Sequence, residues 1–97
     1  VYQEGLVLAQ EAFKTSIHHR IAEFHRNMGE AEALRNNHDI ALEYYQKALE
    51  INTEIDNKGG ISINLGNIAN IYAYNSNYEE ALKYYFKSLA MKYQVPV

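Results

Sequence analysis

An all-α fold of stacked helical hairpins is predicted for these 97 residues by three observations. First, a short pattern recurs. Tyr2-Gln3-Glu4-Gly5-Leu6 returns as His38-Asp39-Ile40-Ala41-Leu42 and again as Tyr78-Glu79-Glu80-Ala81-Leu82, at steps of 36 and then 40 residues. Such periods mark repeated supersecondary units rather than a closed globule. Second, the apolar residues of each copy fall at helical spacing. Third, short polar turns, Arg35-Asn36-Asn37 and Asn75-Ser76-Asn77, separate the helical stretches.

The elements follow in order, as five helices near 2–15, 18–34, 38–55, 61–74 and 78–93. The first carries Gly5, Ala9, Ala12 and Phe13. The second carries His25, Met28, Gly29 and Glu32, and the fourth holds Leu65, Ile68, Ala69 and Tyr72 in the same places. The spacing i, i+3, i+4, i+7 lays each set along one helix face. The third and fifth helices match best: NHDIALEYYQKAL from Asn37 and NYEEALKYYFKSL from Asn77 share Ala, Leu, both Tyr, Lys and the closing Leu. Asn37 and Asn77 are predicted N-caps, their side chains accepting from a first-turn N–H. Glu80, three residues on, suggests a capping box. Asp56-Asn57-Lys58-Gly59-Gly60 reads as the break between units, its glycines free to take positive φ.

These residues resemble the tetratricopeptide repeat, whose pattern runs W-x2-L-G-x2-Y, then A-x3-F, then P. The last unit offers Leu65-x2-Ile68-Ala69-x2-Tyr72 and Ala81-x3-Tyr85; the middle unit offers His25-x2-Met28-Gly29-x2-Glu32 and Ala41-x3-Tyr45. The first helix supplies the second half alone. The Trp and the closing Pro are missing, Glu32 stands where Tyr is expected, and the 40-residue step exceeds the family's usual ~34 residues. It is similar to the longer variant of cell-polarity adaptors and bacterial regulators. The resemblance implies a right-handed superhelical solenoid of antiparallel helix pairs, half a repeat plus two. It also implies binding of a protein or peptide in a concave groove lined by the first helix of each unit.

Composition narrows the function classes. A 97-residue chain is one domain, 1–97, and a start at Val1 in mid-repeat suggests a piece of a longer protein. No run approaches the ~20 apolar residues of a membrane span. With no cysteine there is neither a disulfide nor a Cys-based zinc site. A net charge of −3 argues against general nucleic-acid affinity, which needs a basic stripe. No residue fixes a compartment; a cytoplasmic one is favoured.

Catalytic and metal chemistry find no convergent set. His18 and His25 are two turns apart, about 10 Å of rise, too far to share a metal easily. Glu30 with Glu32, and Glu79 with Glu80, lack any sign of a shared pocket, and Glu79-Glu80 suits the positive end of a helix dipole. Of each tyrosine pair, Tyr44-Tyr45 and Tyr84-Tyr85, one member is expected in the core and one over neighbouring surface. No enzyme activity and no cofactor are expected.

The polar constellation is the candidate site. Asn67 and Asn70 share a helix face with Ile63 and Tyr74; the earlier copy places Glu23, Arg26, Asn27, Glu30 and Leu34 there. The resemblance implies that Asn27 and Asn67 bond an extended peptide backbone. An amide suits this role because it offers both donor and acceptor. Arg26 would meet an acidic ligand residue, Glu23 and Glu30 a basic one. The competing reading is a structural, oligomerisation or signal-coupling segment of a bacterial-type regulator such as a sensor kinase or cyclase. Apolar end helices, with Leu6, Val7 and Phe13 at one end and Tyr84, Phe86, Met91 and Tyr93 at the other, suggest a homodimer.

Overall fold

The computed structural model describes residues 2–94, which form four helices: α1 Tyr2–Leu34, α2 His38–Glu54, α3 Lys58–Tyr74 and α4 Tyr78–Tyr93. There is no strand among the described residues. The last three helices begin where expected or within three residues of it. The predicted pair 2–15 and 18–34 is instead one 33-residue helix. Its stretch Lys14-Thr15-Ser16-Ile17 contains neither Gly nor Pro. Thr and Ser cost a helix only a few tenths of a kcal/mol each, too little to break it without a tertiary partner for the turn.

The three turns are built alike. Asn36, Asp56 and Ser76 take left-handed φ of 62°, 54° and 63°, and they stand twenty residues apart. The next N–H in each case reaches back over the helix end: Asn37 N to Glu32 O at 2.9 Å, Asn57 N to Asn52 O at 2.9 Å and Asn77 N to Tyr72 O at 2.8 Å. The left-handed residue itself bonds the carbonyl three positions before it, as Asn36 N does to Ala33 O at 3.0 Å. This is the Schellman arrangement, which satisfies helix-end carbonyls with two backbone donors.

Two expectations about the turns are corrected. Asn37 and Asn77 occupy the N-cap positions but make no side-chain cap bond. The Asn37 amide instead donates to Glu32 Oε2 at 2.8 Å. Glu80, the supposed capping-box partner, accepts from Lys83 at 3.1 Å. The cap bond is made by Asn57, whose Oδ1 accepts from Gly60 N at 3.3 Å. Nor does any glycine take positive φ: Asp56 does so, and Gly59 and Gly60 lie inside the first turn of α3. Gly60 is needed for approach, since a Cβ there would lie 2.6 Å from the buried Asn52 side chain.

Packing joins sequence neighbours: α1 on α2, α2 on α3, α3 on α4. The core gathers Ala41 and Tyr45 of α2 with Ile68 and Ile71 of α3, flanked by Ala33 of α1 and Tyr84 of α4. Gly29 lets α1 and α2 close on one another, for a Cβ would meet the Tyr45 ring at 2.7 Å. Burying such rings and branched chains contributes about 1.5–3 kcal/mol each. The division of the tyrosine pairs holds in α2, where Tyr45 is buried and Tyr44 half-buried. In α4 the half-buried member is Tyr84, stacked on Tyr72 at 5.4 Å between ring centres. Tyr85, the equivalent of Tyr45, is 36% exposed because among the described residues no helix covers α4 as α3 covers α2. Glu32, in the family's Tyr place, is buried and anchors the first turn through Asn37 and through Arg35 at 3.1 Å.

Candidate functional site

Antiparallel pairing through identical turns places α1 and α3 on either side of α2. A cavity of about 470 Å³ opens between them. Its walls are Glu30 and Leu34 of α1, His38 and Tyr45 of α2, and Asn67, Asn70, Ile71 and Tyr74 of α3. A second hollow of about 760 Å³ runs between α3 and α4. Ile63, Asn67 and Asn70 line it from α3, facing Tyr85, Ser88 and Met91 of α4. Asn67 and Asn70 therefore border both spaces.

The sequence-picked residues divide into three groups. Glu30, Asn67, Asn70 and Tyr74 are brought together in the first cavity, and Ile63 joins Asn67 and Asn70 in the second. Glu23, Arg26 and Asn27 line neither of the two. Arg26 holds Glu30 at 2.9 Å and Glu23 holds His19 at 3.2 Å, both one helical turn away. Asn27, the counterpart of Asn67, is exposed.

Hydrogen bonding separates the two groove asparagines of α3. Asn70 Oδ1 already accepts from the Tyr85 hydroxyl. Asn67 Nδ2 is buried and has no hydrogen-bond partner among the described residues. A buried amide donor left unpaired costs roughly 1–3 kcal/mol. Tyr45 closes the floor beneath, and its phenol pKa is raised above 10.0, first by burial and then by the Glu30 carboxylate, with Arg26 partly opposing. The floor thus stays neutral across the physiological range.

His38, not among the site residues picked out in the sequence, forms part of the cavity wall. Its ring tilts over Tyr74 at 5.5 Å between centres, and its Nδ1 lies 2.9 Å from Asn75 Oδ1. Both contacts lie at the C-terminal end of α3, which packs beside the start of α2, and no local pattern in the sequence announces them. Leu34 and Tyr74, both largely exposed, add an apolar rim. Chemically the cavity is lined by side-chain amides, a carboxylate and an imidazole, with aromatic and aliphatic walls. Among the described residues no three His, Asp or Glu converge to hold a metal, and no helix is long and apolar enough to cross a membrane.

In comparison with known proteins, the family model of the tetratricopeptide repeat matches residues 20–94. No curated protein and no solved structure matches the chain significantly.

Proposed function

The chain belongs to the tetratricopeptide repeat family, and on that premise we propose that its cavity between α1 and α3 receives an extended segment of a partner protein. Repeats of this family mediate protein–protein interaction and are non-catalytic. The finer reading rests chiefly on the unpartnered Asn67 amide, which borders both cavities. A peptide carbonyl is the acceptor it lacks, reached once the amide, buried in the free chain, turns toward the cavity. Glu30 and His38 flank it with polar groups, while Leu34 and Tyr74 offer apolar area for a ligand side chain. Glu30 favours a ligand with a basic residue there. Arg26, engaged by Glu30, is the cation an acidic ligand would have to recruit.

Screening the chain against an array of extended peptides, then titrating the best binder calorimetrically, tests this reading. Asn67→Ala should weaken binding by about 0.5–1.5 kcal/mol, with more if the ligand carbonyl is left unpaired. Its urea midpoint should not fall, and relief of the buried unpaired donor should raise it. Unchanged affinity in both Asn27→Ala and Asn67→Ala would remove the groove from consideration.

The rival role, a coupling or oligomerising segment of a larger regulator, draws support from the uncovered outer faces of α1 and α4. Phe13 is 69% and Phe86 68% exposed.

A further inference from the structure

The N-terminal half of α1 is the least covered part of the fold. Every residue from Gln3 to Ile17 is exposed. It also precedes Arg20, where the family match begins. The exposure is patterned. Leu6, Phe13, Ile17 and Phe24 are 50%, 69%, 42% and 58% exposed. Their spacings of seven, four and seven residues put them within about 40° of one another around the helix. This is the a/d spacing of a coiled-coil seam. The seam continues through Gln10 and Arg20, and Val7 and Ile21 border it at 55% and 40% exposure. It lies on the far side of α1 from Ala22 and Gly29, the small residues buried toward α2. The groove and the rest of the fold leave it free.

We propose that this seam pairs with the same seam of a second copy, antiparallel, to form a two-fold dimer. The register is self-complementary about Thr15. Leu6 meets the partner's Phe24, Phe13 meets the partner's Ile17, and Gln10 meets the partner's Arg20. An antiparallel two-fold contact needs this palindromic order, because each residue must find its complement on an identical surface. A parallel pairing would instead set Arg20 against Arg20, two like charges inside an apolar seam. Antiparallel pairing gives each guanidinium an amide oxygen to donate to. Residues 6–24 span about 27 Å of helix. A seam that short buries less than the ~1,600 Å² of a standard interface, which suits a reversible rather than an obligate dimer.

Two measurements decide the matter. Sedimentation equilibrium of the chain from about 5 to 500 µM should show monomer passing to dimer. Phe13→Glu and Ile17→Glu should each weaken association by more than about tenfold. Both positions are exposed, so helical content by circular dichroism should be retained. The double variant Leu6→Cys/Phe24→Cys tests register, and the chain has no other cysteine. In the continuous helix the two thiols are about 27 Å apart, beyond the reach of an intrachain bridge. Air oxidation should yield a covalent dimer whose peptide map joins position 6 to position 24. Three results would overturn the proposal. They are a strict monomer at all concentrations, bridges of 6 to 6 and 24 to 24, and a dimer abolished by Phe86→Glu but not by Phe13→Glu. A monomeric intrachain bridge would also overturn it, showing that α1 folds back at Ser16, which stands twenty residues before the left-handed Asn36.

Discussion

Small residues set how closely the helices approach. Ala41 and Ala81 hold equivalent places in α2 and α4 and are 0% and 3% exposed. Gly29 does the same for α1 against the Tyr45 ring. Enlarging such a site forces neighbours off their rotamers, so Ala81→Leu should cost about 1–3 kcal/mol. Urea denaturation followed by circular dichroism would measure it; a variant as stable as the parent would show that the α3–α4 contact is loose. The recurrence of Ala41 and Ala81 made these positions legible in the sequence, since a small residue repeated at one register on two apolar stripes points to close contact. The cavity lining was half legible. Periodicity put Asn67, Asn70, Tyr74 and Glu30 on faces that the fold brings to one cavity, but it did not foresee that Arg26 and Glu23 engage neighbours on their own helix. A polar side chain one turn from a suitable partner forms a local contact, and periodicity says nothing of that competition.

At the scale of elements, the turn every twenty residues organises the fold. Asn36, Asp56 and Ser76 all bear a side chain in the left-handed region. That conformation costs an L-residue about 1–2 kcal/mol, and glycine returns roughly 0.5–1 kcal/mol of the gain as lost chain entropy. Ser76→Gly should therefore raise stability by about 0.5–1 kcal/mol, seen as a higher urea midpoint. A lower midpoint would mean that the Ser76 side chain contributes a contact that outweighs the strain. Helix starts at 38 and 78 were readable because Asn precedes each repeat. What Asn does there was not: Asn37 donates to Glu32, Asn57 donates to Asn52 and also caps α3, and Asn77 makes no side-chain cap bond. The continuity of α1 was also hidden. The repeat pattern ends its first copy near residue 15, and no glycine or proline follows to enforce a turn, so the helix runs on.

The molecule as a whole is long and thin, 56 × 33 × 13 Å, with a radius of gyration of 15.6 Å. A compact domain of about 100 residues would give roughly 13 Å. The shape follows from helices that pack chiefly on their sequence neighbours. It also follows from α1 running on beyond its partner as a 33-residue rod. This neighbour-to-neighbour packing bears on how the chain carries load. Tension applied at residues 2 and 94 is resisted by no interstrand ladder sheared as a unit; it meets helix contacts in series. The molecule should behave as a soft zipper, peeling α4 or α1 first and shedding length in helix-sized steps at low force. An optical trap would show this as a staircase with reversible hops. One abrupt rip of the whole domain would reveal a mechanical clamp tying distant helices together.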